Sequence, residues 1–257
     1  MPLAFTRAVS PRIVECALTH LDRRPIDPDR AAAQHAAYEQ ALRDAGYDVV
    51  RLPDLADDPD AVFVEDTAIL LGEHAVITRP GAPSRRDEID STAKGLAPYF
   101  TVHRVEAGNL DGGDVLRIGE TLYVGQSNRT DAEGRESLEA IVRPLGYSVV
   151  PVKLGRCLHL KTAVTSPGLD RDGRPTLLVN PDWVDLGQFG DMAVISVAED
   201  EPFAANVVRA GDRLIMAAGS PRTAAKLRDR GFTVVNVDLF ELQKAEAGGT
   251  CMGLLSD

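Results

Sequence analysis

Apolar and polar positions along this chain fall into a unit that returns about every 45 to 50 residues. Each unit carries a stretch with helical spacing of apolar positions, a Gly or Pro stop signal, and a β-branched run that reads as a short buried strand. The helical stretches are Asp29 to Asp44, Ser84 to Leu96, Asp131 to Leu145 and Pro221 to Arg230. The strand openings are Gly46 to Val50, Pro98 to Val102, Gly146 to Val150, Phe189 to Val197 and Gly231 to Val235. The fourth unit lacks a strong helical run, because Asn180 to Gly190 is short and contains Pro181.

After each such strand comes a loop and then a hairpin pattern of two apolar runs around a turn. The pairs are Val62 to Leu71 with Ala75 to Thr78, Asp114 to Ile118 with Thr121 to Val124, Lys161 to Ser166 with Thr176 to Val179, and Ala205 to Arg209 with Arg213 to Met216. The fifth hairpin is split: Thr250 to Leu255 supplies one strand and Leu3 to Thr6 the other, which sets the chain ends side by side. Five ββαβ units joined in this way predict an α/β fold, a five-bladed α/β-propeller with pseudo-fivefold symmetry. Ring closure would remove most exposed strand edges. Residues 1–257 are expected to form one catalytic domain.

With 44% hydrophobic and 26% charged residues, the chain can bury a sizeable core. It carries 28 Lys and Arg against 39 Asp and Glu, a net charge of −11, and no basic run. Nucleic acid and anionic membrane are therefore poor partners, and a small cationic ligand suits the field better. The three cysteines, Cys16, Cys157 and Cys251, are odd in number and scattered, which excludes a disulfide framework and fits a reducing compartment. Arg7 and Arg12 precede any apolar run and no stretch approaches a membrane span, so a cytoplasmic location is expected.

Polar residues gather where each first hairpin strand begins: Phe63-Val64-Glu65-Asp66, Asn109 to Asp114, Leu158-His159-Leu160-Lys161, Phe203 to Asn206, and Gly249-Thr250-Cys251. If the units are equivalent, these positions share one pocket. Acids with a Cys and a His suit either zinc or thiol chemistry. For zinc, the C-x-x-C and H-E-x-x-H spacings are missing and Cys157-x-His159 is too short a pair to count. Thiol catalysis needs a nucleophile, a proton shuttle and an acid that orients the shuttle, and Cys251, His159 and Asp111 meet those needs. The residue types alone leave blander roles open: a tail thiol, a core histidine between two leucines, and a turn aspartate in Leu-Asp-Gly-Gly-Asp. Glu65 and Asp66, read as continuing an apolar strand, are costly to bury unless a cation neutralises them.

The segments Phe63 to Ala68, Ile77-Thr78-Arg79-Pro80-Gly81-Ala82-Pro83-Ser84-Arg85-Arg86, Leu110 to Leu116 and Leu158 to Thr162 resemble the dimethylarginine dimethylaminohydrolases. That family belongs to the guanidino-group-modifying enzymes of the five-bladed α/β-propeller fold, and the resemblance runs from end to end. It implies Cys251 as nucleophile, His159 as general acid and base, and Asp111 as the residue orienting His159. It also implies Glu65 and Asp66 on the substrate guanidinium, Asp60 with the Leu18 carbonyl on the α-amino group, and Arg85 and Arg129 on the α-carboxylate. The Ala245 backbone would complete the site. The implied reaction converts methylated arginine to citrulline and an amine, without metal or organic cofactor. An arginine deiminase or amidinotransferase on the same fold is the alternative, and a non-catalytic amino-acid-binding protein a remoter one. Whether the chain forms a homodimer stays open.

Overall fold

The computed structural model describes residues 1–256, and the repeat read from the sequence organises it. Strands β1 (Leu3–Thr6) and β2 (Asp48–Arg51) pair in parallel, and the C-terminal β15 (Leu254–Leu255) pairs antiparallel with β1. The other four sheets repeat this order of an antiparallel hairpin followed by a parallel third strand. They are β3 (Ala68–Leu71), β4 (His74–Ile77) and β5 (Thr101–Arg104); β6 (Val115–Ile118), β7 (Thr121–Gln126) and β8 (Ser148–Lys153). Next come β9 (Val164–Leu169), β10 (Pro175–Val179) and β11 (Ala193–Ser196), then β12 (Val208–Ala210), β13 (Arg213–Ala217) and β14 (Thr233–Val237). Among the described residues these are five three-stranded sheets, and the split fifth unit closes through Ala4 opposite Leu255 and Phe5 opposite Leu254.

A parallel third strand requires a crossover, and four units use a helix for it. The longest, Pro28–Asp44, starts where Asp27 accepts from the N–H groups of Asp29 and Arg30 and Pro28 fills the first turn. Helix Ala132–Val142 is capped in the same way by Asp131, and helices Glu88–Leu96 and Pro221–Asp229 complete the set. The fourth unit crosses over with only the 3-10 turn Leu186–Gln188, as the weak helical pattern there implied.

The hairpins begin differently from the sequence reading. A 3-10 turn, Val64–Thr67, precedes β3, and similar turns, Gly112–Asp114 and Thr250–Met252, precede β6 and β15. One helical turn, Leu160–Ala163, precedes β9. Glu65 and Asp66 therefore do not continue a strand. Successive side chains in a 3-10 turn diverge by about 120° rather than alternating across a sheet, so both acids can serve the same end of the unit. Thr67 holds the turn by donating from Oγ1 to the Val64 carbonyl at 2.7 Å.

Among the described residues apolar side chains collect in five clusters, each joining neighbouring units. In one, Ile69, Leu71 and Val76 of β3 and β4 meet Val115, Leu122 and Val124 of β6 and β7 under Leu138 and Val142 of helix Ala132–Val142. Among the described residues no helix is long and apolar enough to cross a membrane.

Candidate active site

The turns that open the hairpins bring their polar residues together. Lys161 Nζ lies 2.7 Å from Glu65 Oε1, and Thr250 Oγ1 donates to Glu65 Oε2 at 2.7 Å. Asn206 ties the fourth unit in, donating from Nδ2 to the Lys161 carbonyl and to Thr250 Oγ1 at 3.1 and 2.9 Å. Gly113 N–H donates to Asp66 Oδ1 at 3.1 Å, and His159 Nε2 lies 3.0 Å from Asp111 Oδ2. Residues from all five units thus share one hydrogen-bonded layer. Beside it, a cavity of about 580 Å³ is lined by residues of β3, β6, β9, β12 and β15 together with Glu65, Lys161 and Thr250.

The Leu-Asp-Gly-Gly-Asp segment has a packing reason as well as a turn reason. A Cβ on Gly112 would sit 2.0 Å from the Glu65 carbonyl oxygen. One on Gly113 would sit 2.7 Å from His159 Nδ1 and 2.8 Å from Asp66 Oδ1. Only glycine lets this backbone lie against the imidazole. Asp111 is fixed in turn, accepting at Oδ1 from the Gly81 N–H at 2.8 Å, while its own N–H donates to Thr130 Oγ1.

His159 is buried, which works against its charge, yet Asp66, the Asp111 hydrogen bond and Asp114 together raise its pKa to about 10. Its Nδ1 lies 3.8 Å from Asp66 Oδ1. Burial acts to raise Asp66, but the His159 and Arg85 cations keep it below the ordinary carboxylate value. Burial raises Glu65, opposed by Lys161. Cys251 is pushed up to about 12 by burial and by the Glu65 and Asp66 charges, and its Sγ accepts from the Gly248 N–H at 3.3 Å. The resting cluster is an imidazolium among carboxylates beside a neutral thiol. Asp66, Asp111 and His159 also present ligand atoms within 4.8 Å of one another, where a metal would have to displace the imidazole proton.

The remaining candidates lie around this cluster. Asp60 accepts from the Ala17 N–H at both oxygens, at 3.2 and 3.1 Å. Leu18 and Cys251 pack against an apolar cluster that includes Ala245 and Met252. Arg129 is partly exposed, and its Nη2 donates to Thr19 Oγ1 at 3.1 Å. Arg85 is placed otherwise: it is buried, with Nη1 2.5 Å from Asp66 Oδ2, Nε and Nη2 forked onto Glu88 at 2.9 and 2.8 Å, and Nη2 also on the Phe63 carbonyl. One Nη1 hydrogen is left without a partner among the described residues. Sequence reasoning gave no role to Lys161, Thr250, Asn206 or Glu88. Of these only Glu88 had a local signal, three residues beyond Arg85 at a helix start.

Similarity to known proteins follows the same lines. Residues 21–166 match the family model described as N,N dimethylarginine dimethylhydrolase, eukaryotic. The N(G),N(G)-dimethylarginine dimethylaminohydrolase of Streptomyces coelicolor is 39% identical over 259 residues, covering 98% of this chain and 95% of that protein. Among solved structures, a cysteine-to-serine mutant of DDAH from Pseudomonas aeruginosa complexed with citrulline superposes with a TM-score of 0.92 at 35% identity, covering 98% of each chain. A histidine-to-glycine dimethylarginine dimethylaminohydrolase adduct with S-methyl-L-thiocitrulline gives 0.91 at 35% identity over 100% of each chain. Fold and cluster together define a guanidino-modifying enzyme of the thiol type. The chain belongs to the dimethylarginine dimethylaminohydrolase family.

Proposed function

We propose that the chain hydrolyses N-omega-methylated arginine to citrulline and dimethylamine or methylamine through a covalent thiouronium on Cys251. The observation that carries this reading is the buried His159 imidazole, bonded to Asp111 at 3.0 Å and facing Asp66, in the same acid cluster that raises the Cys251 thiol. A proton donor is thus held ready beside acids able to accept a guanidinium.

Glu65 and Asp66 take the guanidinium nitrogens and fix its plane. The arriving positive charge offsets theirs, and the Cys251 thiol releases its proton to solvent. The thiolate attacks the central carbon. The His159 imidazolium then gives its proton to the methylated nitrogen, and the C–N bond breaks with its electron pair leaving on the amine. Neutral His159 next takes a proton from water, whose oxygen adds to the thiouronium carbon. Collapse expels the thiolate, which takes up the hydroxyl proton to restore the Cys251 thiol and leave citrulline, and Asp111 keeps the ring oriented throughout. Asp60 and the Leu18 carbonyl receive the α-amino group, and the Ala245 carbonyl completes the site. Arg129 takes the α-carboxylate as its main clamp, and Arg85 contributes its remaining Nη1 hydrogen and its charge.

The five sheets form a closed α/β-propeller as a single catalytic domain. This is supported by the pairing of the chain ends in one sheet and by a cavity lined from all five. Free thiols at Cys16, Cys157 and Cys251 favour a cytoplasmic enzyme. The test is purified protein given dimethylarginine, monomethylarginine and arginine, with citrulline and the released amine both measured. Methylamines released in step with citrulline support the reading; ammonia from arginine as the main product would make the protein a deiminase.

A further inference from the structure

Among the described residues Glu246 is the one non-glycine residue with positive φ, at 61°. A glutamate in the left-handed region is disfavoured by its Cβ, and such a residue persists where its surroundings hold it. Its carboxylate crosses from the segment between Ala245 and Cys251 to the loop over residues 17–24. There Oε1 accepts from the N–H groups of Thr19, His20 and Leu21 at 3.1, 2.5 and 2.5 Å, and Oε2 from Thr19 N–H at 3.0 Å. Three consecutive amides on one carboxylate form an anion nest built within the protein.

The loop has little else to order it. Thr19 to Arg24 are exposed apart from these contacts, and Arg23 ties back only to the Val14 and Cys16 carbonyls. Yet it carries Ala17, whose N–H holds Asp60, and Leu18, and it meets Arg129 through Thr19. We infer that Glu246 is a positioning residue that holds residues 18–21 over the amino-acid end of the substrate. The inference rests on the assignment of Asp60 and Leu18 to the α-amino group. Without the carboxylate, the loop samples open arrangements, and the binding-competent fraction falls. Affinity drops while the chemistry at Cys251 and His159 proceeds once substrate is seated.

Glu246→Gly is the informative variant, because glycine keeps the left-handed backbone at no steric cost while removing the side chain that carries the carboxylate. Glu246→Asp keeps the carboxylate, and Asp60→Asn tests the underlying assignment. For Glu246→Gly, amide hydrogen exchange at Thr19 to Leu21 should quicken, and KM for dimethylarginine should rise about tenfold with kcat within about twofold. Glu246→Asp should restore most of that loss. The positioning role is overturned if exchange or KM is unchanged in Glu246→Gly while Asp60→Asn raises KM, or if kcat falls and KM does not. If Asp60→Asn also leaves KM unchanged, the α-amino assignment itself fails, and the role of Glu246 fails with it.

Discussion

Nη1 of Arg85 lies 2.5 Å from Oδ2 of Asp66, with both residues inside the protein at 4% and 6% relative exposure. An arginine matched by resemblance to a substrate carboxylate is therefore first of all the counter-ion of the acid that faces His159. Its Nε and Nη2 are held by Glu88, whose carboxylate is buried as well.

Removing that guanidinium leaves two buried acids without their partner. Arg85→Met should destabilise the fold by about 3–5 kcal/mol, the range for breaking a buried ion pair from one side. It should also damage turnover of N-methylguanidine, which has no carboxylate for an arginine to hold. Arg129→Met should spare that substrate and raise KM for methylarginine alone. Thermal unfolding and the two substrate profiles separate the residues; an Arg85 variant with wild-type stability and intact methylguanidine turnover contradicts the ion-pair role.

Cys251 should be the one thiol that turnover needs. Cys251→Ser should lower citrulline formation by at least ~10⁴-fold, while Cys16→Ser and Cys157→Ser stay active. His159→Gly should either fail to react or stop as a covalent adduct on Cys251, which mass spectrometry of the quenched protein distinguishes. An active Cys251→Ser enzyme would falsify the thiouronium route.

Gly113 offers a test that leaves every polar side chain in place. The methyl of Gly113→Ala would press on His159 Nδ1 and Asp66 Oδ1 at 2.7 and 2.8 Å, so the imidazole must move. A shift of this size should lower kcat by roughly 10²-fold. Unchanged kcat would mean that the ring is not held where the mechanism needs it.

How much of this the sequence carried depends on the range of each interaction. The five units were legible because helix stops, strand runs and hairpin turns are local patterns, and even the split fifth sheet showed in the apolar runs at Leu3 and Leu254. The turns before β3, β6, β9 and β15 were not, since three or four residues have no period of their own and their apolar members merge with the strand that follows. Cys251, His159 and Asp111 were legible as chemistry, their bland alternatives set aside only by resemblance. Lys161 was quoted but given no role because its partner Glu65 lies 96 residues away. The inward contacts of Arg85 were hidden for the opposite reason: resemblance pointed outward to the substrate, while Glu88, three residues along, also holds the guanidinium.

The charge of His159 should appear in the pH dependence of stability. Its folded pKa, about 10, lies above the ordinary 6.5, so its contribution is complete below 6.5 and is lost as pH rises toward 10. Cys251, raised from 9.0 to about 12, adds a loss of the same sign at higher pH. The melting temperature should fall from pH 7 to pH 10, and His159→Gln should flatten that slope. A slope identical in the variant would mean that His159 is not charged in the folded protein.

The same field governs the nucleophile. With burial, Glu65 and Asp66 all opposing ionisation, Cys251 should be a thiol in the free enzyme at neutral pH and should alkylate slowly. A guanidinium between those acids neutralises the charge that suppresses the thiolate, so a non-reactive cationic ligand should shift the thiolate absorbance titration to lower pH. Cys251→Ser serves as the blank. The ligand should also quicken alkylation by a reagent small enough to reach Sγ, unlike simple occlusion, which would slow it. If the free enzyme shows a full thiolate at pH 7, or if the titration does not move on binding, the substrate does not create its own nucleophile, and Lys161 or His159 must supply the activating charge instead.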